Sequence, residues 1–190
     1  MRVCVLYEDS RTTDGTFTLH DLLRARVADR LGIAPRELEA SVEGIPKNGN
    51  SKVLKACTSD VGRLSRKYRH IVAVLDGDKL DRALRLRPSY CKSEARAAFR
   101  TVAPHPCLDL VVLDRNIETL LETLGRLDPV LAPQVNEALD KDRNARDIVF
   151  RRAARGSNPT LRAALCQEVK SFARLVAKIA GWLEEGDSTP

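Results

Sequence analysis

Three apolar runs in this chain end in acidic residues. VCVLY (residues 3–7) is followed by Glu8 and Asp9, IVAVL (71–75) by Asp76-Gly77-Asp78, and DLVVL (109–113) by Asp114, Asn116 and Glu118. Carboxylates gathered from separate segments repel one another unless a cation lies between them, and hard oxygen donors select Mg2+ or Mn2+. Such a cluster would support metal-assisted phosphoryl transfer. Each acid also has a plainer use, because Asp and Asn after a strand cap the next helix and Asp-Gly is ordinary turn chemistry. Gly77 permits a tight turn in which both flanking carboxylates face one point.

The elements that must position these residues follow from hydrophobic patterning. Residues 3–7, 39–45, 70–75 and 108–113 are short aliphatic or β-branched runs, and two of them are nearly continuous, as central parallel strands covered on both faces require. Between them, residues 19–31 carry Leu19, Leu22, Leu23, Val27 and Leu31 at helical spacing before Gly32, and 52–68 and 92–102 repeat the pattern. Strands alternating with helices predict an α/β fold, a mostly parallel central sheet flanked by helices, in which chemistry gathers where the strands end. After residue 113 only helical patterns remain, at 116–124, 134–139, 144–154 and 160–183, the last with Leu161, Leu165, Val169, Phe172, Val176, Ile179 and Leu183 on one face. The expected organisation is an α/β core over 1–125, a helical extension over 126–185 packed on it, and a disordered tail at 186–190.

The order Glu8, then Asp76-Gly77-Asp78, each at a predicted strand end, resembles the TOPRIM family, the metal-binding fold of bacterial primases, topoisomerases and OLD-type nucleases. The later part of the chain is similar to the small stand-alone TOPRIM-like proteins linked to bacterial defence. There an Asn/Glu pair opens the helix after the next strand, as Asn116 and Glu118 do here, and Ser-Phe sits in the final helix, as Ser171-Phe172 does. Asp9 stands where the family usually carries glycine, offering an extra carboxylate. The resemblance implies a TOPRIM-like sheet and Mg2+-dependent (or Mn2+-dependent) phosphodiester chemistry. Asp76 and Asp78 would be metal ligands, Glu8 a ligand or general acid/base, and Glu118 a group reaching the same rim.

Charge is consistent with a nucleic-acid partner. Lys and Arg number 32 against 26 Asp and Glu, a formal net charge of +6. The excess lies in residues 47–70 and 141–170, which outweigh a negative remainder. Lys52, Lys141, Arg143 and Arg146 are the expected substrate-binding residues, able to neutralise phosphates. Solvation of exposed helix faces is the plain alternative for most of these cations. Asn48-Gly49-Asn50-Ser51-Lys52 reads as a capped helix start or, failing that, an anion-binding turn, and it lacks the P-loop spacing. Because OLD-type proteins join TOPRIM to an ATPase, the resemblance implies a separate ATPase as the protein partner of a chain without a P-loop, and self-association is compatible with the pattern. Five scattered cysteines without CxxC spacing argue against disulfides and zinc. No cysteine is read as paired with histidine, and His105 is read as a loop residue. The absence of a signal-peptide core or a membrane-length apolar run points to the cytoplasm and no membrane. Two other functions stay open: a receiver-like signalling module, using Glu8-Asp9, Asp76 and Lys141, and a TOPRIM-like adaptor without activity.

Overall fold

The computed structural model describes residues 1–8, 18–113, 117–140, 142–156 and 158–187. Its sheet has four strands, β1 (Val3–Tyr7), β2 (Val42–Pro46), β3 (His70–Asp76) and β4 (Leu108–Leu113), in the order β2-β1-β3-β4, and every pairing is parallel. The α/β class expected from the sequence is what the chain adopts. All five residues of β1 are buried, the state that a doubly covered central strand with a continuous apolar run requires.

The chain forms two compact units, Met1–Ser10 with Ala40–Asn116, and Arg11–Glu39 with Ile117–Pro190. This division differs from the expected break at residue 125. Helix α1 (Thr18–Leu31), expected within the core of residues 1–125, is grouped with the C-terminal helices. Thr18 Oγ1 donates to the buried Asp147 carboxylate at 2.8 Å, a bond between α1 and residues far along the chain that local patterning cannot reveal.

In the sheet unit, one face of the strands (Cys4, Leu6, Ile71, Ala73, Leu75, Leu110, Val112) shares a core with the connecting helices. These are α2 (Asn50–Lys55), continued through a π-helical turn at Ala56–Asp60 into α3 (Val61–Leu64), then α4 (Leu80–Leu84) and α5 (Lys92–Val102). Val53, Leu54, Leu64, Leu80, Leu84, Ala95 and Phe99 supply the helical side of that core. The short α4 has no counterpart in the sequence reading, because five residues hold too little period to register. Strand β2 begins at Val42, not residue 39, since Pro35–Leu38 form a 3-10 turn that Glu39 closes by donating its N–H to the Arg36 carbonyl.

The helical unit adds α6 (Glu118–Leu127), α7 (Ala132–Leu139), α8 (Arg143–Ala154), α9 (Pro159–Glu168) and α10 (Lys170–Asp187). Asp142 caps α8, its carboxylate accepting from the N–H of Asn144 at 2.8 Å and of Ala145 at 3.3 Å. Helices α6 and α7 approach closely at Gly125, since a Cβ there would lie 3.1 Å from the Val135 side chain. The single helix expected over 160–183 is two, broken at Val169 (φ −98°, ψ 87°), yet Leu165, Val169, Phe172, Val176 and Ile179 are all buried. One non-helical residue leaves the apolar spacing intact, so the pattern did not register the break. Helix α10 runs to Asp187, through the start of the expected tail; residues 188–190 lie outside the described residues. No described helix is long and apolar enough to cross a membrane.

Candidate functional site

The strand order sets the site. The connection after β1 leads outward to β2 and the connection after β3 leads outward the other way to β4, so the two diverge at the β1–β3 seam, and in open parallel sheets ligands bind beyond the carboxyl ends at that point. The register pairs Tyr7 with Val74, which leaves Glu8 and Asp76 at the same rim. Glu8 Oε2 accepts a hydrogen bond from the Asp76 backbone N–H at 3.2 Å. Both residues are half-buried.

The other side of Glu8 is held by the turn after β2. Lys47 donates its N–H to the Tyr7 carbonyl at 2.9 Å, and Gly49 donates to the Glu8 carbonyl at 2.6 Å. To make that reach the backbone takes φ of 58° at Asn48 and 120° at Gly49. Asparagine tolerates the first, and only glycine adopts the second without strain. Gly49 precedes α2 without any side-chain cap, so the capped-helix reading of this segment does not describe what forms.

The Asp-Gly-Asp segment leaves β3 in extended conformation at Asp76 and tightens into a 3-10 turn over Gly77–Lys79, anchored by the fully buried Leu80. Tyr90 donates its hydroxyl to the Gly77 carbonyl at 2.7 Å, clamping the turn from the loop before α5. Burial foremost, then the nearby Asp81 and Asp78, raises the Tyr90 phenol above its ordinary value, so the group stays a donor. Asp78 is exposed. Among the described residues no three His, Cys, Asp or Glu side chains form a metal-holding group. The two neighbouring strand ends still suit Mg2+, which keeps several waters and is held through one or two carboxylates together with substrate phosphate.

The other expected site residues are placed as follows. Lys52 is exposed on α2 of the sheet unit. Glu118 is exposed in the first turn of α6, and Arg143 exposed and Arg146 half-buried on α8, all in the helical unit. Lys141, Asp9, Asp114 and Asn116 lie outside the described residues. Several cations counted toward a basic surface have other tasks. Arg162 is 1% exposed and bound to Asp29, Lys47 pairs with Asp60 at 3.6 Å, and Lys67 pairs with Glu43 at 2.9 Å. Ser171 and Phe172 are core residues of the helical unit.

Two features escape a motif-based reading of the sequence. Residues 79–100 carry seven cations (Lys79, Arg82, Arg85, Arg87, Lys92, Arg96, Arg100) against Asp81 and Glu94, directly after the Asp-Gly-Asp turn. Arg82, Arg85, Arg96 and Arg100 are exposed and have no ion-pair partner among the described residues. Lys92, Arg96 and Arg100 recur every fourth residue, forming one stripe along α5. A charge count over this window would have found the run. The second feature is His105, whose Nδ1 lies 3.0 Å from Cys107 Sγ and 3.4 Å from the Cys107 N–H. The Cys107 N–H donates to Nδ1, and burial foremost raises the thiol's pKa, which disfavours the thiolate form.

The chain matches no protein-family model, no curated protein and no solved structure. The TOPRIM resemblance therefore stands on its own residues.

Proposed function

We propose that this protein is a divalent-metal-dependent phosphodiester hydrolase acting on nucleic acid in the cytoplasm. The observation that carries the reading is the meeting of Glu8 and Asp76 across the β1–β3 seam, where an open parallel sheet binds its ligands. Asp76 and Asp78 would hold Mg2+ or Mn2+, which when bound neutralises phosphate charge and lowers the pKa of a bound water. Glu8 completes the coordination or takes the proton of the attacking water. Lys52 and the exposed arginines after the Asp-Gly-Asp turn bind backbone phosphates. Glu118 enters through the TOPRIM resemblance, and Lys141, Arg143 and Arg146 through charge. A separate ATPase is the proposed protein partner and self-association the proposed assembly.

A screen of single- and double-stranded DNA and RNA with Mg2+ and Mn2+ tests the reading. Cleavage should require the metal and fall by orders of magnitude in Asp76→Asn, with an unfolding midpoint unchanged or raised, because removing one crowded anion relieves repulsion. Cleavage that survives Asp76→Asn, or none on any substrate, sinks it. Glu118→Gln with full activity removes Glu118 from the site. Metal and nucleic-acid binding without cleavage indicates the inactive adaptor.

The strand order also favours a second reading, since 2-1-3-4 is shared by flavodoxin-like receiver folds. Asp76 would then take a phosphoryl group. Incubation with acetyl phosphate, followed by intact mass measurement of wild type and Asp76→Asn, separates the two.

A further inference from the structure

Asn50 is 8% exposed, and among the described residues neither its side-chain nitrogen nor its side-chain oxygen has a hydrogen-bond partner. Buried amides in native proteins are almost always paired, so one left with both ends open needs a reason. Capping is not that reason, because the cap position before α2 is Gly49 and no side-chain bond is made there. Packing is not either, since the following core residues of the helix, Val53 and Leu54, are apolar, and an apolar side chain at 50 would bury without the penalty of a bare amide.

Its place in the fold supplies the reason. The connection from β2 to β3 must cross β1, because the strands lie in the order β2-β1-β3, and Asn50 is the first helical residue of that crossing. The residue before it, Gly49, is bonded to the Glu8 carbonyl at 2.6 Å, while the Glu8 carboxylate is bonded to the Asp76 N–H at 3.2 Å. Hydrogen bonds thus link the start of α2, where this buried amide sits, to the neighbouring strand ends that carry Glu8 and Asp76.

We infer that Asn50 is a ligand-binding residue of this rim. Its amide N–H donates to a phosphate oxygen and its carbonyl accepts from a water of the divalent cation held by the neighbouring carboxylates. The inference rests on the metal-dependent reading above and extends it to a residue that neither acidity nor the TOPRIM resemblance picks out.

Asn50→Leu and Asn50→Ala test it in the full-length protein, the second guarding against overpacking by the first. The measurements are the thermal midpoint without metal, then calorimetric titration with Mg2+ alone and with inorganic phosphate in the presence of Mg2+. At least one variant should match or exceed the wild-type midpoint without ligand, and both should bind Mg2+ and phosphate at least tenfold more weakly. Lower midpoints in both variants with wild-type affinities would overturn the inference, making the amide structural. Wild-type affinities at any midpoint would also overturn it, while leaving the metal-dependent reading intact. If the wild-type protein binds neither probe, that reading fails and the inference falls with it.

Discussion

Glu8 and Asp76 are joined across the β1–β3 seam by a hydrogen bond from the Asp76 N–H to Glu8 Oε2, 3.2 Å long. The bond fixes the Glu8 side chain at the strand ends and makes the two replacements of Glu8 separable. Glu8→Gln keeps an acceptor oxygen and should leave stability near wild type, whereas Glu8→Ala strips the Asp76 N–H of its partner and should cost about 1 kcal/mol. Urea unfolding of the two variants measures the difference. Equal stability of Ala and Gln variants would show that the bond contributes nothing to holding the seam.

Tyr90 holds the Asp-Gly-Asp turn by its bond to the Gly77 carbonyl, 2.7 Å long. Tyr90→Phe removes only that hydroxyl. It should lower stability by about 0.5–1.5 kcal/mol and, if Asp76 and Asp78 hold Mg2+ as proposed, raise the Mg2+ concentration for half-saturation several-fold, because both flank the loosened residue. A stability loss with unchanged metal affinity would confine Tyr90 to the fold.

Arg162 is bidentate on Asp29, at 2.7 Å and 2.8 Å, and its remaining nitrogen donates to the carbonyls of Ala153 and Arg155. Removing Arg162 leaves Asp29 with only its longer pair to Arg26, at 3.9 Å, and takes the donor from the Ala153 and Arg155 carbonyls, so Arg162→Ala should destabilise the protein by about 3 kcal/mol. Arg162→Lys should rescue little, since a point charge cannot reproduce the fork. Denaturant unfolding measures both, and a loss under about 1 kcal/mol for the alanine variant, the usual size of exposed pairs, would contradict the buried role.

Burial pushes the Cys4 and Cys57 thiols up from 9.0 to about 12. Above pH 9 the unfolded chain ionises these thiols while the folded chain keeps them protonated, so the unfolded state binds fewer protons and stability falls as pH rises from about 9 toward 12. Unfolding midpoints between about pH 8 and 11 should show this decline, reduced in Cys4→Ala compared at equal starting stability. In native protein the exposed Cys91 should react first with a thiol reagent, and Cys4 and Cys57 only after denaturant is added. Early labelling of Cys4 would contradict its burial in β1.

The arginines beyond the Asp-Gly-Asp turn make a prediction in salt. If Arg82, Arg96 and Arg100 bind duplex DNA, replacing all three by alanine should lower the slope of log K against log salt by about 0.9 for each phosphate no longer neutralised. Arg162, being buried, should leave that slope unchanged in any variant that still folds. Fluorescence anisotropy at several salt concentrations reads both, and an unchanged slope in the triple variant removes this surface from the interface.

The sequence by itself determined the strands and the acids that end them. Val3–Tyr7 and Leu108–Leu113 are found where their apolar runs lie, Glu8 follows β1, and Asp76 and Asp78 stand at and just beyond the end of β3, because strand propensity and turn chemistry act over a few neighbouring residues. Tertiary structure alone decided which strands are neighbours and which charges reach solvent. The order β2-β1-β3-β4 sets Glu8 against Asp76, and packing along the chain gathers α1 with the C-terminal helices, sinks Arg162 onto Asp29 and leaves the Asn50 amide without a partner among the described residues. Arg162 and Arg96 look alike in a charge count. They part only when packing between residues more than 100 positions apart, such as Arg162 and Asp29, fixes which is desolvated, a free energy that no local window of sequence contains.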